Sequence, residues 1–276
     1  MLGQDVAAAF HDRGADVAAV SHEELDITSP AVDRAVARFR PDVVVNCAAW
    51  TDVDAAESQE REAMRINDTG AGLVAAAAAQ VDAKLIHLST DYVFDGSARR
   101  PYVESDRTAP LSAYGRSKVA GETAVAVTNP RHFIVRSSWL FGLGGRNFVE
   151  TMLRAGDEQA EVLVVSDQVG CPTYTPHLAE ALVLLAEGEE YGIHHITGEG
   201  SCSWFDFAQE IFDQAGYDTR VMAATTDMLR RPAPRPAYSV LGTERPNALV
   251  LPAWRQGLAE YLALRERAGA AAGGPA

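Results

Sequence analysis

The stretch Leu85-Ile86-His87-Leu88-Ser89-Thr90-Asp91-Tyr92-Val93-Phe94 runs from an apolar segment into a turn that begins with two hydroxyl groups. The apolar segment predicts a buried β-strand that ends at Ser89 and Thr90. Helical patterns and further apolar strands alternate on both sides of it, which predicts an α/β fold with a doubly wound parallel sheet of the Rossmann type. Ligands bind such sheets at the carboxyl ends of the strands, so we expect Thr90 at a binding edge.

A second motif, Tyr114-Gly115-Arg116-Ser117-Lys118, begins twenty-four residues after Thr90. On a helix, positions i and i+4 lie on one face, so the phenol and the ammonium can point into the same cleft. The chain has eight Tyr but only two Lys, Lys84 and Lys118, and chance would give such a pair only about 0.06 times. We therefore predict that Thr90, Tyr114 and Lys118 are the catalytic group of a carbonyl-reducing enzyme.

The composition is that of a globular protein and argues against several kinds of partner. The chain has 276 residues, of which 47% are hydrophobic and 22% charged, enough for one large or two modest domains. A net charge of −14 argues against binding to nucleic acid or to an anionic membrane surface. No apolar run reaches the roughly 18–20 residues of a membrane helix, and no signal peptide is predicted.

The cysteines and histidines do not form a metal-binding pattern. Cys47, Cys171 and Cys202 include no C-x-x-C pair, so reduced thiols and a cytoplasmic location are predicted rather than a disulfide or zinc framework. The adjacent His194 and His195 lack a third ligand at a suitable spacing, and no metal site is predicted.

The first residues resemble a dinucleotide-binding unit without its beginning. A helical pattern from Val6 to Arg13 ends at Gly14, and Asp16 to Val20 predicts a strand. A strand and a glycine-rich turn normally precede such a helix, and only Gly3 corresponds to that turn. We expect that the first strand and the start of the glycine loop are missing, with the true start about ten residues upstream. The alternative is a shortened protein that binds no cofactor.

Several residues are predicted to line the cofactor and the substrate. Ser21 stands where a site for NAD places a carboxylate against the ribose, which favours NADPH, with NADH as the alternative. The small residues at the end of strand 41–49 would let a dinucleotide approach closely. Asn147 opens a helix whose N-terminus suits a phosphate, and the Arg/Pro loop around Arg235 predicts either an anion clamp or a rigid solvated linker.

The alternation of strands and helices fades near residue 150, which predicts two domains and a tail. Residues 1–150 are predicted to bind the dinucleotide. Residues 151–267 are predicted to form mainly a smaller C-terminal substrate domain, with some segments returning to the first sheet. Residues 268–276 are rich in Ala and Gly and are predicted to be disordered.

Six motifs together resemble the extended short-chain dehydrogenase/reductase superfamily and, more closely, its dTDP-4-dehydrorhamnose reductase family. The resemblance runs from Met1 to about Leu264. The motifs are Asn46-Cys47-Ala48-Ala49-Trp50-Thr51-Asp52-Val53-Asp54-Ala55-Ala56-Glu57, Ser89-Thr90-Asp91-Tyr92-Val93-Phe94, Tyr114-Gly115-Arg116-Ser117-Lys118, Arg136-Ser137-Ser138-Trp139, Asp167-Gln168-Val169-Gly170-Cys171-Pro172-Thr173 and Arg235-Pro236-Ala237-Tyr238-Ser239.

The resemblance implies a Rossmann domain followed by a smaller domain that holds a sugar nucleotide, and it implies roles for individual residues. Thr90, Tyr114 and Lys118 match the catalytic trio. Predicted cofactor contacts, from the resemblance and the sequence together, are Leu2, Gly3, Ser21, Asp26, Ile27, Ala48, Ala49, Trp50, Thr51, Tyr114 and Lys118. Predicted substrate contacts are Val53, Thr90, Asp91, Trp139, Asn147 and Arg235. For Trp139, a place in the core is an equal alternative.

The implied reaction is reduction by NADPH of the C4 ketone of dTDP-4-dehydro-β-L-rhamnose, in dTDP-L-rhamnose biosynthesis. Lys118, together with the oxidised nicotinamide, is expected to favour the phenolate of Tyr114 and to lower its pKa. Some family members use Mg²⁺ at a dimer interface, which this sequence does not indicate, and a monomer or a homodimer is expected. The alternatives are a non-catalytic nucleotide-binding regulatory subunit of the same fold, or a reductase or epimerase of another sugar nucleotide.

Overall fold

The computed structural model describes residues 1–272, over which helices and strands alternate. The strands are β1 (Val43–Asn46), β2 (Lys84–Thr90), β3 (His132–Ser137), β4 (Leu140–Phe141), β5 (Glu161–Val165), β6 (Val169–Gly170), β7 (Thr173–Tyr174), β8 (Gly192–His195), β9 (Cys202–Ser203) and β10 (Arg220–Ala224). The helices are α1 (Leu2–Asp12), α2 (Ala31–Phe39), α3 (Val53–Ser58), α4 (Glu60–Met64), α5 (Ala71–Gln80), α6 (Ala113–Thr128), α7 (Phe148–Glu158), α8 (Thr175–Glu187), α9 (Trp204–Ala215), α10 (Thr226–Leu229) and α11 (Trp254–Ala272).

Two short segments connect these elements near the predicted site. A π-helical segment, Arg65–Gly70, joins α4 to α5, and a 3₁₀ turn, Asp91–Val93, directly follows β2. The Thr90 hydroxyl accepts a hydrogen bond from the Tyr92 N–H at 3.2 Å and so caps that turn. The chain therefore leaves β2 sharply, with Thr90 at the bend.

Four parallel strands form the central sheet, in the order β1-β2-β3-β8. Val45 lies opposite Ile86, which in turn lies opposite Phe133. Because the strands are parallel, their carboxyl ends all lie at one edge of the sheet, which receives Asn46, Thr90 and Ser137. The parallel α/β fold predicted from the sequence is confirmed.

Helices cover both faces of this sheet. On one face, α1 and α8 pack against β2 and β3 and bury Ile86 and Phe133. On the other face, α2, α5 and α6 bury Leu85 and Ile134. Each such side chain stabilises the fold by about 1.5–3 kcal/mol when it is taken out of water. Alternate residues of one strand thus serve two separate cores, as expected for a doubly wound sheet.

The C-terminal half builds its own core from aromatic and aliphatic side chains. Helices α7, α9 and α11 pack together around Phe207, Phe212, Trp254 and Tyr261, all of which are buried. Helix α9 begins at a capping box in which Ser203 and Asp206 satisfy each other's backbone N–H groups. This core lies beyond the predicted boundary near residue 150, while β8 crosses back to pair with β3.

The prediction of a strand at Asp16 to Val20 is wrong. These residues have no regular secondary structure and are exposed, with Val20 61% exposed. An extended segment becomes a strand only where a neighbouring strand takes up its backbone hydrogen bonds. In the described part of the chain, the central sheet pairs β1 with β2 alone.

The last helix continues further than the sequence predicts. Helix α11 extends to Ala272, which takes it into the segment 268–276 for which disorder is predicted. Alanine is the strongest helix former, and three consecutive alanines end this helix. Residues 273–276 lie outside the described part of the chain. Among residues 1–272, no helix combines the length and the apolar character needed to cross a membrane.

Candidate active site

Lys118 and Thr90 lie on neighbouring elements that are bonded to each other. The Lys118 Nζ donates a hydrogen bond of 2.6 Å to the backbone carbonyl oxygen of Leu88, two residues before Thr90 on β2. Lys118 is only 2% exposed, and burial lowers the pKa of its ammonium to about 8, although Glu122 and Cys47 oppose that shift. A buried lysine whose pKa lies close to neutral pH is therefore fixed beside the end of β2.

Tyr114 sits one turn before Lys118 on α6 and is half-buried. Its ring meets that of Tyr92 edge to face, with centroids 5.7 Å apart, and it packs with Trp50 in a small apolar cluster. Burial raises the pKa of the Tyr114 phenol to about 12, and hydrogen bonding with Thr90 offsets part of that rise. Desolvation thus outweighs that hydrogen bond, and the lowering expected from Lys118 together with the oxidised nicotinamide stays a prediction. The phenol is fully protonated at neutral pH.

Asp91 is held at the same bend by two hydroxyl groups. The Thr90 Oγ1 donates to one carboxylate oxygen at 3.1 Å, and the Ser239 Oγ donates to the other at 2.5 Å. Asp91 is only 1% exposed, and burial raises its pKa to about 6 against the effect of these hydrogen bonds. The structure thus links Asp91 to Thr90 and to the C-terminal half of the chain.

The predicted cofactor edge after β1 is held in place by Asn46 and Asn67. The Ala48 N–H donates to the Asn46 side-chain oxygen at 3.1 Å. Asn67 exchanges hydrogen bonds with the Trp50 backbone at 2.8 and 3.1 Å and donates to the Ser117 hydroxyl at 2.9 Å. Because Ser117 precedes Lys118, Asn67 joins the predicted cofactor edge to α6. Asn67 is not predicted from the sequence, because its helix gives no local signal of this long-range contact.

The other predicted cofactor contacts lie in two places. Gly3 lies in the first turn of α1, beside Cys47. A Cβ atom added at Gly3 would lie 3.7 Å from the Cβ atom of Cys47. Leu2 is buried in the core beneath it. Further along, Asp26 accepts two hydrogen bonds from Thr28, and Ser21 is exposed. In the second place, Ile27 packs in the core with α2 and α5. Outside these two places, Ala49 and Thr51 flank Trp50 after β1.

Trp139 has an unusual backbone and a stacked ring. Its φ of 49° lies in the left-handed region, which is rare for a bulky residue and occurs often at functional sites. The ring stacks on Trp204 with centroids 3.5 Å apart, and a side chain at Gly170 would come within 2.5 Å of it. Trp139 is half-buried. A glycine and a second tryptophan therefore hold the indole in one position.

The predicted nucleotide contacts already have partners within the chain. The Asn147 side chain caps α7 by accepting from the Glu150 N–H at 3.0 Å. Arg235 donates to both carboxylate oxygens of Asp54 at 3.0 and 2.9 Å, and Asp54 follows the predicted substrate residue Val53 in α3. An ion pair thus fastens Arg235 of the Arg/Pro loop to α3, and the choice between an anion clamp and a rigid solvated linker stays a prediction.

A buried ion pair that is not predicted from the sequence supports α6. Arg136 on β3 donates to both oxygens of Glu122 at 2.9 and 2.7 Å. Ser89, next to Thr90, also donates to Glu122. Glu122 lies one turn after Lys118 on α6, so the ion pair joins α6, β2 and β3 beneath the site.

Other features of the described residues lie away from this group. A cavity of about 520 Å³ opens at the opposite edge of the sheet, lined by Arg40, Lys84 and Arg131 among others. It contains none of the predicted site residues. Within residues 1–272, no three His, Cys, Asp or Glu side chains gather so that they could hold a metal ion.

Comparison with known proteins identifies the family. The family model described as RmlD substrate binding domain matches residues 1–266. A dTDP-4-dehydrorhamnose reductase of Streptomyces griseus is 46% identical over 287 residues, which cover 100% of this chain and 94% of the relative. This chain belongs to the dTDP-4-dehydrorhamnose reductase family. The membership predicted from the motifs is confirmed.

Solved structures of family members have the same fold as this reductase-family chain. A dTDP-4-dehydrorhamnose reductase from Clostridium acetobutylicum is 42% identical, with a TM-score of 0.93 and 96% of each chain covered. The enzyme from Bacillus anthracis, solved in complex with NADP, is 39% identical, with a TM-score of 0.93 and 95% of each chain covered. The likeness extends through both halves of the chain.

Proposed function

We propose that this protein reduces the C4 ketone of dTDP-4-dehydro-β-L-rhamnose to the alcohol of dTDP-β-L-rhamnose, with NADPH as the reductant. The observation that carries the proposal is the grouping of Thr90, Tyr114 and Lys118 on β2 and α6, fastened by the hydrogen bond from Lys118 to Leu88. The names of the family members, and the NADP bound to one of them, support it.

The residues at the carboxyl edge suit a dinucleotide. Gly3, Cys47, Ala48 and Ala49 offer small side chains there, and these let a ligand backbone approach closely. An ammonium has three N–H donors, and the one hydrogen bond from Lys118 to Leu88 leaves others for the hydroxyl groups of a ribose. When bound, NADPH supplies a hydride to C4 of the sugar.

Three side chains of the protein stabilise the negative charge on the carbonyl oxygen and supply its proton. The Thr90 hydroxyl donates to the carbonyl oxygen as negative charge develops there, which stabilises the transition state. Tyr114 gives its phenolic proton to that oxygen. The raised pKa of Tyr114 keeps this proton in place until the oxygen becomes strongly basic. Lys118, still an ammonium at neutral pH because its pKa is about 8, stabilises the phenolate that remains.

Binding of the sugar nucleotide is assigned to the other predicted contacts. Trp139 presents a fixed indole against which a sugar ring can pack. Arg235 supplies a guanidinium suited to a diphosphate, which would share it with Asp54 or displace Asp54. Val53, Asp91 and Asn147 remain predicted substrate contacts. A cytoplasmic location and a monomeric or homodimeric state also remain predictions.

The experiment is a direct assay of the purified chain with NADPH and dTDP-4-dehydro-β-L-rhamnose. We expect the absorbance of reduced nicotinamide to fall only when both are present, and dTDP-β-L-rhamnose to accumulate in equal amount. Binding of both compounds without turnover would instead identify a regulatory subunit. Turnover with a different 4-keto sugar nucleotide, but not with this one, would identify another substrate.

A further inference from the structure

The Thr90 hydroxyl hydrogen has two competing acceptors, the Asp91 carboxylate and the carbonyl oxygen of the substrate. A hydroxyl group has a single hydrogen to donate. In this structure Thr90 donates it to the Asp91 carboxylate at 3.1 Å and accepts from the Tyr92 N–H at 3.2 Å. While Asp91 takes that hydrogen, Thr90 has none to offer to the carbonyl oxygen of a substrate.

A proton on Asp91 would reverse this hydrogen bond. A protonated carboxyl group is a donor as well as an acceptor. It would donate to the Thr90 oxygen and release the Thr90 hydrogen toward the substrate. The second carboxylate oxygen would still accept from Ser239, whose hydroxyl lies 2.5 Å away. The Thr90 hydrogen would then be free to point into the active site, on the side where Thr90 also forms a hydrogen bond with Tyr114.

We propose that Asp91 is a positioning residue whose proton sets the direction of the Thr90 hydroxyl. With the proton present, Thr90 points its hydrogen at the substrate oxygen. With the proton absent, Thr90 points it at Asp91 and the oxygen loses that donor. The inference rests on the proposed function, because it assigns to Thr90 the hydrogen bond made in carbonyl reduction.

The surroundings of Asp91 place its titration within an accessible range of pH. Burial raises its pKa to about 6. The titratable groups that interact with it are Tyr92 beside it, Tyr114 on α6 and Cys171 after β6, and burial raises the pKa of each. All three therefore stay neutral near pH 6. Lys118 loses its proton only near pH 8, so the two titrations are separate.

The test is the dependence of kcat on pH for the wild type and for Asp91→Asn. The amide can donate to Thr90 and accept from Ser239 at every pH, as the protonated carboxyl does. We expect wild-type kcat to fall by about tenfold between about pH 5 and pH 7, because the protonated fraction of Asp91 falls by that factor and one oxyanion donor is worth about 10²–10³. Asp91→Asn should lack this fall and exceed the wild type at the upper end.

Ser239→Ala is a second variant, which should shift the pH dependence of kcat and not remove it. Loss of this donor disfavours the charged carboxylate, so the midpoint of the fall in kcat should rise by about one pH unit. A purely structural role would lower kcat at every pH and leave the midpoint in place. Asp213→Asn, the same change at an exposed position of α9, is the matched control and should reproduce the wild-type profile.

Several results would overturn the inference. One is an Asp91→Asn enzyme whose kcat falls with the same midpoint pH as that of the wild type. A second is an Asp91→Asn enzyme that is folded but inactive at every pH. Another is a rise in KM with no change in the pH dependence of kcat, which would leave Asp91 only its predicted role as a substrate contact. An inactive wild type would overturn the proposed function together with this inference, whereas the other results leave the proposed function standing.

Discussion

The Lys118 ammonium and the Leu88 carbonyl oxygen are joined by a hydrogen bond of 2.6 Å. It ties the helix that carries Tyr114 to the strand that ends in Thr90. Both side chains therefore reach the carboxyl edge of the sheet in a fixed relation, which proton transfer to a carbonyl oxygen requires. The same bond holds a buried lysine whose environment disfavours its charge.

Removal of the Tyr114 hydroxyl should stop catalysis and spare binding. We expect Tyr114→Phe to lower kcat by about 10²–10⁴, because the oxygen formed at C4 loses its proton donor. Titration of NADPH by fluorescence should give a Kd close to that of the wild type. Turnover near the wild-type rate would rule out Tyr114 as the acid.

Replacing Lys118 should stabilise the fold while it removes activity. The lowered pKa means that the folded state disfavours the ammonium, so Lys118 destabilises the protein below pH 8, by about 3 kcal/mol for a pKa lowered from 10.5 to about 8. We expect Lys118→Met to raise the free energy of unfolding in urea at about pH 7 by about 2–3 kcal/mol, and the gain to shrink as pH rises from 8 toward 10.5. A gain independent of pH would contradict this cause.

The buried ion pair beneath the site should be sensitive to loss of one partner. In Glu122→Gln, Arg136 keeps a buried charge without its counterion, and the side chains of the pair are only 2% and 7% exposed. We expect the free energy of unfolding to fall by about 3–5 kcal/mol. The exposed Glu62, paired with Arg65, offers the same substitution as a control that should change it little. Equal effects in the two variants would show that burial does not decide the outcome.

Arg235 should matter for substrate binding more than for the chemical step. We expect Arg235→Ala to raise KM for the sugar nucleotide by about 10–100-fold, the value of a hydrogen bond to a charged group, with a smaller effect on kcat. Arg230→Ala, at an exposed position of the same loop, is the control. An unchanged KM in Arg235→Ala would leave the arginine only its role in holding the loop to Asp54.

The sequence predicted the parts of the site that depend on local pattern. Thr90 follows an apolar strand, and Tyr114 and Lys118 share a helix face, so their meeting could be expected from periodicity and from the geometry of parallel sheets. The helix expected from the spacing of Tyr114 and Lys118 is α6, which runs over Ala113–Thr128. The strand expected at 16–20 failed because pairing, and not propensity, decides whether an extended segment becomes a strand.

Contacts between distant residues could not be predicted in this way. Ser239 reaches Asp91 across 148 positions, and Arg235 reaches Asp54 across 181. Such pairs leave no periodic signal, because they depend on how the C-terminal half docks on the first sheet. The raised pKa of Tyr114 could not be predicted for a related reason: a neighbouring lysine is visible in the sequence, but the extent of burial is not.

The central claim is that this site transfers a hydride to C4 and that Tyr114 protonates the oxygen. The most direct measurement uses NADPH deuterated at the transferred position of C4 of the nicotinamide, with product analysis by mass spectrometry and NMR. The account predicts one deuterium per dTDP-β-L-rhamnose, carried on C4 of the sugar, with product formation strongly reduced in Tyr114→Phe. A product without deuterium at C4, or full activity in Tyr114→Phe, would contradict it.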